Sequence, residues 1–237
     1  MNLKDKVVLI TGANGGLGKE LVKMCIKKEV KKVYCAVRDI KNATSLKEIS
    51  SKIELVNLDI CDNKNIKKLS LEIDNIDLLI NNAGANSKKR IFESFSSLDF
   101  DVNVMGTLNI TTAFSSKINP AGVIINITSI TALINNPLIG LYSASKSALH
   151  SLTQAMRAEM SLKNIHVLEV LPGPIDTNMT KGRDMVKANT FDIVNEIFIG
   201  LTNDVNEVYP DAFSKMIKSK LDNNPQEIEL EFQKSLF

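Results

Sequence analysis

The feature that most constrains how this chain can fold is a glycine-rich turn between a strand-like run and an amphipathic helix. Residues 7–10 form a short continuous apolar run. After the turn, apolar side chains recur at helical spacing, at Leu17, Leu21, Met24 and Cys25. The segment therefore predicts a buried strand, a loop and a helix in direct succession.

The turn itself carries Gly12, Gly16 and Gly18 in the spacing G-x-x-x-G-x-G. Gly12 allows a tight turn off the strand, Gly16 lets the backbone approach a pyrophosphate, and Gly18 lets the helix pack closely on the strand. A phosphate would rest on the helix N-terminus, where free N–H groups and the helix dipole favour an anion. A glycine-rich hairpin or a turn without a ligand is the alternative, which the flanking strand and helix disfavour.

A second group of candidate residues consists of Ser129, Tyr142 and Lys146. Tyr142 and Lys146 are four residues apart on a predicted helix and so share one face, and Ser129 ends the apolar run VIINITS. A lysine charge beside a tyrosine hydroxyl favours the phenolate and lowers the tyrosine pKa. The three side chains can therefore bind a carbonyl oxygen and transfer a proton to it. Taken alone, Y-x-x-x-K also fits an ordinary surface helix.

The chain as a whole alternates strand-like apolar runs with helical periodicity. The runs lie at residues 7–11, 32–37, 53–57, 77–81, 122–128 and 165–170, with a possible short seventh strand at 205–209. Such alternation predicts a parallel sheet with helices on both faces, an α/β fold. A length of 237 residues with 44% hydrophobic content suits one domain over residues 1–237.

Charge and cysteine content exclude several classes of function. A net charge of +2, with lysines scattered among acidic residues, does not indicate nucleic-acid binding. No apolar stretch has the length of a membrane span or of a signal peptide. Cys25, Cys35 and Cys61 lack C-x-x-C spacing, so we expect free thiols, no metal site and a cytoplasmic location.

Six motifs follow one another along the chain in a characteristic order. They are TGANGGLG at 11–18, Asp59 in NLDI, NNAG at 81–84, Asn103 in FDVNVMG, the set Ser129, Tyr142 and Lys146, and PGPIDT at 172–177. In this order and spacing they resemble the short-chain dehydrogenase/reductase family, in its short single-domain branch, over nearly the whole chain. The resemblance implies a Rossmann-type doubly wound parallel sheet in a single domain, with an NAD(P) cofactor.

The resemblance also implies roles for individual residues. Asn103, Ser129, Tyr142 and Lys146 would be the catalytic set, with Asn103 holding a water that connects Lys146 to solvent. The implied cofactor-binding residues are Gly12, Asn14, Gly15, Gly16, Leu17, Gly18, Arg38, Asp59, Ile60, Asn82, Ala83, Gly84, Tyr142, Lys146, Pro172, Gly173, Ile175 and Thr177.

Several of these residues also have a purely structural interpretation. Asp59, which would hydrogen-bond adenine, could instead cap the helix that starts near Asp62. Residues 81–84 would line the adenosine and steady the sheet, or form an ordinary turn. Residues 172–174 could serve only to end the regular structure after a strand. The resemblance implies instead that Ile175 and Thr177, which follow them, contact the nicotinamide carboxamide. Asn103 lies inside a predicted helix, where asparagine is mildly unfavourable and can kink the backbone.

The choice of cofactor depends on the end of the second strand. A carboxylate that binds the ribose 2′-OH of NAD is expected there, and Val37 occupies the position. Arg38 follows, and a guanidinium suits bidentate phosphate binding. We therefore expect NADP(H) rather than NAD(H). The glycine turn lacks the basic residue that often accompanies NADP in the family, and Asp39 adds a negative charge unless it caps a helix.

Together these features predict an oxidoreductase that transfers a hydride between NADP(H) and a carbonyl or secondary alcohol, a ketone or aldehyde reductase. A non-catalytic NAD(P)-binding sensor on the same fold is one alternative, disfavoured by the intact catalytic set. An epimerase or dehydratase is another, disfavoured by the glycine spacing and by the lack of a separate substrate domain. His150 and His166 are expected to be structural.

The substrate and the quaternary structure are less constrained by the sequence. Loops 130–140 and 178–190 carry apolar residues that imply a partly apolar small-molecule substrate, namely Leu133, Ile134, Leu138, Met179 and Met185. By analogy with the family we expect a homo-oligomer, a dimer or tetramer, without nucleic-acid or membrane partners. Residues 205–237 depart from the family pattern, and the sequence indicates no role for them.

Overall fold

A parallel sheet of seven strands forms the centre of the computed structural model, which describes residues 1–94 and 96–236. The strands are β1 (Val7–Thr11), β2 (Lys32–Val37), β3 (Ile53–Asn57), β4 (Ile76–Asn81), β5 (Ile118–Ile127), β6 (His166–Val170) and β7 (Glu207–Val208). They are ordered β3-β2-β1-β4-β5-β6-β7, and every neighbouring pair is parallel. This is the order of a Rossmann-type doubly wound sheet, so the predicted fold class is confirmed.

The strand-like runs of the sequence agree with these strands to within a few residues, with two differences. β5 begins at Ile118, which pairs with Ile76 before a register shift, and regular pairing resumes at Val123. The prediction began at residue 122 because Pro120, which lacks an N–H, interrupts the pattern. The seventh strand is shorter than predicted, since only Glu207 and Val208 pair with β6.

Helices cover both faces of the sheet. They are α1 (Gly16–Lys27), α2 (Asn63–Glu72), α3 (Leu98–Phe100), α4 (Thr107–Phe114), α5 (Gly140–Ser161), α6 (Thr190–Thr202), α7 (Ala212–Asn223) and α8 (Pro225–Gln233). A π-helical turn, Asp101–Gly106, joins α3 to α4. Short 3-10 turns occupy Ile40–Leu46, Ile130–Ala132, Pro137–Ile139 and Lys234–Leu236.

Side-chain alternation along the strands sorts the core into two layers. In β1, Val8 and Ile10 belong to the layer that includes side chains of α1 and α6, such as Leu21. Leu9 belongs to the opposite layer, which includes side chains of α2, α4 and α5, such as Phe114. Because both faces are covered, the strands are mostly apolar on both sides, as buried parallel strands are.

A third, smaller apolar cluster lies outside the two layers. Ile130 contacts Ile217 of α7 and Ile228 of α8, and Leu133 and Ile134 pack against this cluster. The C-terminal hairpin of α7 and α8 therefore covers the loop that follows Ser129. The C-terminal helices cover part of the Leu133 and Ile134 side chains, and contact of these two residues with a substrate stays a prediction.

The sheet order places a crevice at the carboxyl ends of the strands. The chain runs outward from β1 to β2 and β3, then returns to β4 on the other side of β1, so the loops after β1 and β4 diverge. Ligands of open α/β sheets bind at such a point. Within residues 1–94 and 96–236, no helix is long and apolar enough to cross a membrane.

Candidate active site

The glycine-rich turn has the geometry that its spacing predicts. Gly12 has a φ of +62°, and a Cβ there would lie 2.9 Å from the Cα of Ala83. A Cβ on Gly18 would lie 2.2 Å from the carbonyl oxygen of Gly12, so only glycine lets α1 pack this closely on the turn. Gly15 precedes α1 and has no side chain to cap it, which leaves the N–H groups of its first turn available to an anion.

The segment after β4 braces this turn through Asn82 and Thr11. The Asn82 Nδ2 donates to the carbonyl oxygens of Thr11 at 2.9 Å and Gly12 at 3.1 Å. The backbone N–H groups of Asn82 and Ala83 donate to Thr11 Oγ1 at 3.0 and 3.1 Å. Thr11, for which the sequence predicted no role, has its hydroxyl at the junction of the two loops.

Asn81, the first asparagine of the NNAG motif, has a buried side chain that belongs to a series of polar contacts. Asn81 Nδ2 donates to Thr111 Oγ1 at 2.9 Å and to Asn126 Oδ1 at 2.8 Å, and Asn126 Nδ2 donates to Thr153 Oγ1 at 2.9 Å. Asn81 and Asn126 are paired in register on β4 and β5. This buried polar chain ties both central strands to α4 and α5, which supports a structural role for Asn81.

Asn103 lies in the π-helical turn between α3 and α4, where the sequence predicted a helix distortion. Its side chain is fully buried, and its Oδ1 accepts from the N–H of Ala85 at 2.9 Å. Its Nδ2 donates to the carbonyl oxygen of Ala85 and to Ser145 Oγ, both at 2.9 Å. Ser145 Oγ in turn donates to the carbonyl oxygen of Tyr142 at 2.7 Å. Asn103 therefore links the loop after β4 to the helix that carries Tyr142 and Lys146.

Ser129, Tyr142 and Lys146 meet at the carboxyl end of β5. Lys146 is buried on α5, and its Nζ lies 5.8 Å from the centroid of the Tyr142 ring. The Ser129 hydroxyl lies close enough to Tyr142 to affect its pKa, and Ser129 Oγ accepts from Thr131 Oγ1 at 3.0 Å. Thr131 thus orients the serine hydroxyl, a contact that the sequence analysis did not anticipate.

The protonation of this trio differs from the sequence-based expectation. Burial raises the pKa of Tyr142 to about 12, the neighbouring Ser129 hydroxyl lowers it in part, and the charge of Asp99 raises it further. The expected lowering of the tyrosine pKa by Lys146 is therefore wrong here, because desolvation of the phenolate outweighs it. Burial lowers the pKa of Lys146 to about 8, against the opposing influence of the Glu169 carboxylate.

Asp99 is a buried carboxylate beside this site that the sequence analysis missed. It is completely inaccessible, its Oδ1 accepts from the N–H of Ser87 at 3.0 Å, and its Oδ2 accepts from Ser87 Oγ. The contact ties α3 to the loop after β4. An aspartate in a predicted helix usually reads as a solvated residue, so the sequence carried no local signal for it.

The residues expected on the adenosine side lie at the carboxyl ends of β2 and β3. Arg38 is exposed directly after the buried Val37. Asp39 caps the following 3-10 turn by accepting from the N–H of Lys41 at 2.9 Å, so its carboxylate is engaged. Asp59 does not cap α2, because Asp62 does so. The Oδ1 of Asp59 accepts instead from the N–H of Cys61 at 2.9 Å.

Ile60, Gly84 and the segment after β6 complete the set of expected residues. Ile60 is buried, and a Cβ on Gly106 of the π-helical turn would lie 2.8 Å from its side chain. A Cβ on Gly84 would lie 3.3 Å from Asn103 Oδ1. The methyl group of Thr177 lies 3.0 Å from the Cβ position of Gly16, so this residue sits against the glycine-rich turn.

The remaining predicted residues occupy the same rim of the sheet. Pro172, Gly173 and Ile175 follow β6, and Asn14 and Leu17 flank the exposed Gly15 and Gly16 after β1. All loops with predicted site residues leave the carboxyl ends of strands. Of the two histidines, His166 opens β6, and its Nε2 contacts the carbonyl oxygen of Val205 at 3.0 Å.

His150 forms a polar cluster with Glu169 and Glu207. Its Nδ1 lies 2.9 Å from Oε2 of Glu169, which is completely buried in β6. Glu207, the register partner of Glu169 on β7, brings a second carboxylate within 4.8 Å of the same atoms. The histidine therefore faces two carboxylates, and one of them also acts on the pKa of Lys146.

Comparison with known proteins identifies the family. Residues 6–187 match the model of the short chain dehydrogenase family. An uncharacterized oxidoreductase of Staphylococcus saprophyticus is 31% identical over 205 residues, which cover 78% of this chain and 84% of that protein.

Solved structures agree with this match. A short chain dehydrogenase from Burkholderia cenocepacia, in complex with NADP, has a TM-score of 0.92 and 31% identity, covering 98% of this chain and 99% of that one. A short chain dehydrogenase/reductase from Burkholderia phymatum, in complex with NAD, shares the fold with a TM-score of 0.85 at 20% identity, over 98% and 96% of the two chains. The chain is therefore an oxidoreductase of the short-chain dehydrogenase/reductase family.

Proposed function

We propose that this protein reduces a ketone or aldehyde with NADPH, or oxidises the corresponding alcohol with NADP. The observation that carries the proposal is the meeting of Ser129, Tyr142 and Lys146, which brings two hydroxyl groups together beside a buried ammonium. Two hydroxyls can donate to one carbonyl oxygen and stabilise the negative charge that builds on it during reduction.

Each residue of the trio has a distinct role in this proposal. Tyr142 holds the proton that the product alkoxide receives, and its raised pKa keeps it protonated at neutral pH. Ser129 orients the carbonyl by donating a hydrogen bond, and Thr131 holds the serine hydroxyl in place. The charge of Lys146 favours the tyrosinate that forms when the proton leaves, and the buried contact of Asn103 with Ser145 fixes this stretch of α5.

The glycine-rich turn fits a dinucleotide. Its close approaches leave no room for a Cβ at Gly12 or Gly18, and the uncapped start of α1 offers N–H groups to the pyrophosphate. Gly12, Gly15 and Gly16 would hold the phosphates, with Lys146 on the nicotinamide ribose. When bound, the cofactor would supply the hydride to the carbonyl carbon.

NADP(H) is the proposed cofactor because of the end of β2. The buried Val37 places no carboxylate where a 2′-phosphate would lie, and the exposed Arg38 can accept that phosphate. Asp39 is engaged as a cap, so its charge is partly satisfied by backbone. The Burkholderia cenocepacia relative, described in complex with NADP, adds weak support.

The proposed substrate is partly apolar. Exposed hydrophobic side chains lie on the three loops that follow β4, β5 and β6, the strands around the catalytic trio. They are Ile91, Phe92, Leu138, Met179, Met185 and Val186. Phe92 is 99% exposed and Val186 94%, so both side chains are free to contact an apolar ligand.

A non-catalytic sensor on the same fold is the second candidate. Asp39 and the lack of a basic residue in the glycine-rich turn do not distinguish the two functions, because both require a bound dinucleotide. The proximity of Ser129 and Tyr142 does distinguish them, since a sensor has no use for a proton donor and a second hydroxyl aimed at a carbonyl oxygen. An epimerase or dehydratase would use the same Tyr142 and Lys146 without net consumption of cofactor.

Turnover separates these possibilities. The protein is incubated with NADPH and a panel of aliphatic and aromatic ketones and aldehydes, and loss of absorbance of the reduced nicotinamide is recorded. The proposed function predicts consumption with at least one carbonyl and product alcohol in equal amount. Tight NADPH binding without consumption would support the sensor, and a changed substrate without net consumption would support the epimerase or dehydratase.

Two further expectations accompany this proposal. By analogy with the family the protein assembles as a dimer or tetramer, which size-exclusion chromatography with light scattering would test. A cytoplasmic location agrees with three cysteines that are all free thiols, and fractionation of cells would test it.

A further inference from the structure

The C-terminal hairpin contacts the chain directly after β6 through one aspartate. Asp211 precedes α7, and its Oδ1 accepts from the N–H of Ser214 at 2.8 Å as a helix cap. Its other oxygen, Oδ2, accepts from the backbone N–H of Gly173 at 2.8 Å. One carboxylate thus fixes the start of α7 and the glycine of the PGPIDT motif at the same time.

The first turn of α7 also packs closely against Gly173. A Cβ at Gly173 would lie 2.7 Å from Asp211 Oδ1 and 2.8 Å from Cδ1 of Phe213. The glycine backbone therefore rests directly on the first turn of α7, which no larger residue would allow. Because the bonded N–H faces a carboxylate, the contact is charge-assisted and stronger than a bond between neutral groups.

The same hairpin holds the loop that follows Ser129. Ile130 packs against Ile217 of α7 and Ile228 of α8. Ile130 also donates its N–H to the carbonyl oxygen of Pro172 at 2.9 Å, so the loops after β5 and β6 are bonded to each other. The hairpin therefore supports two neighbouring walls of the candidate active site, one next to Ser129 and one at Gly173.

We propose that Asp211 is a positioning residue for the nicotinamide half of the cofactor, acting through Gly173. The proposal rests on the proposed cofactor binding and gives residues 205–236 a function. Asp211 does not touch the cofactor. It orients the Pro172–Gly173 peptide and, through it, the backbone at Ile175, while the adenosine half lies at β2 and β3, away from this contact.

The test uses Asp211→Ser, in which a serine keeps the helix cap and is too short to reach Gly173 as well. Binding of NADPH and of adenosine 2′,5′-bisphosphate, which lacks the nicotinamide half, is measured by calorimetry on the full-length protein. NADPH should bind about tenfold more weakly or worse, from the loss of one charge-assisted hydrogen bond. The bisphosphate should bind as it does to the unmodified protein, and in turnover the KM for NADPH should rise.

Asn224→Ala is the matched control, because Asn224 caps α8 in the same hairpin without contacting Gly173. It should lower the melting temperature and leave both affinities unchanged. Equal NADPH affinity in Asp211→Ser and the unmodified protein would overturn the proposal, as would an equal loss of both ligands. If the unmodified protein bound neither ligand, the proposed cofactor would be wrong instead.

Asp211→Asn provides a second variant should the serine change unfold the protein. Asparagine caps helices as well as aspartate does, but its NH2 group replaces one of the two carboxylate oxygens that separately accept from Gly173 and Ser214, so one of these two bonds is lost. The same selective loss of NADPH affinity is expected. Full affinity for NADPH in a folded Asp211→Asn would also contradict the positioning role.

Discussion

Lys146 donates a hydrogen bond from its buried ammonium to the carbonyl oxygen of Ile127 at 2.8 Å. This bond holds the amine against the end of β5, one residue before Thr128 and two before Ser129. The lysine is thereby fixed by the strand that delivers the serine, so that strand β5 and helix α5 jointly determine where the positive charge lies.

Activity should depend on the protonation of Lys146. Its pKa of about 8 predicts that kcat/KM for reduction falls above that pH, by about tenfold per pH unit, as the charge is lost. Glu169→Gln removes the carboxylate that raises the Lys146 pKa, so the fall in kcat/KM should shift to lower pH. The exposed Glu159→Gln, on the same helix, should leave it in place, and an unshifted limb in Glu169→Gln would contradict the coupling.

The same pKa has a consequence for stability. The folded-state pKa of Lys146 lies below the value of 10.5 for a free lysine, so the unfolded chain binds the proton more tightly. Lys146 therefore lowers the free energy of unfolding below about pH 8. This destabilisation disappears as the pH rises from about 8 to 10.5. Lys146→Met should raise the free energy of unfolding at pH 7 and have little effect at pH 10.5, as measured by urea denaturation.

Tyr142→Phe should fold and bind NADPH but lose reduction by at least about 100-fold, because it removes the proton donor. Steady-state kinetics with the best carbonyl of the panel would measure the loss. Tyr34→Phe, at a tyrosine on β2 that contacts Lys32, is the control and should remain active. Retained turnover in Tyr142→Phe would mean that another group donates the proton.

Ser129→Ala should lower kcat/KM by roughly 2.7 to 4 kcal/mol, the range for one lost oxyanion donor, with little change in NADPH affinity. Ser129 also caps the 3-10 turn Ile130–Ala132. Asn136→Ala, which removes the cap of the neighbouring turn Pro137–Ile139, controls for that effect. If Ser129→Ala lost cofactor binding and kept its kcat, the serine would serve only as a cap.

Arg38→Ala should weaken NADPH binding by about 1.5 to 3 kcal/mol, from the loss of a hydrogen bond to a charged phosphate, and leave NADH almost unaffected. Fluorescence titration with each cofactor measures the difference. Lys52→Ala removes a cation at the amino end of β3, whereas Arg38 follows the carboxyl end of β2. This control should change neither affinity. Tighter binding of NADH than NADPH by the unmodified protein would rule out the cofactor choice.

The apolar loops predict a preference for long alkyl substrates. Across a series of methyl ketones, kcat/KM should rise by about fourfold per methylene, the equivalent of about 0.8 kcal/mol of apolar burial. Phe92→Ser and Val186→Ser should flatten this rise. Leu162→Ser, at an exposed leucine beyond the far end of α5, should not. A flat series with the unmodified protein would leave the reductase activity intact and remove the apolar specificity.

Local patterns were sufficient to predict the sheet, the glycine-rich turn and the helix distortion at Asn103. A continuous apolar run, a glycine that must adopt positive φ, and an asparagine inside a helix each carry their signal within a few residues. The location of the candidate site could be predicted from the topology, because the loops that follow parallel strands all lie at the carboxyl ends of those strands.

Contacts between distant segments could not be predicted in this way. Asp99 meets Ser87, and Asp211 meets Gly173, across 12 and 38 residues of chain. The partial cover of Leu133 and Ile134 by the C-terminal helices could not be predicted either, because an apolar loop sequence looks the same whether a ligand or a helix lies against it. The raised pKa of Tyr142 was not predicted either, because the sequence shows the neighbouring lysine but not the desolvation of the tyrosine hydroxyl in the folded protein.

The π-helical turn Asp101–Gly106 sets the two parts of its helix out of phase. One extra residue rotates the preceding segment by about 100° relative to an unbroken α-helix. Asp99 can therefore face Ser87 while Ile110 and Phe114 face the sheet. Deleting a single residue within this turn would restore one continuous helix and swing Asp99 away from the loop, releasing the rim of the substrate site while the core beneath it stayed packed.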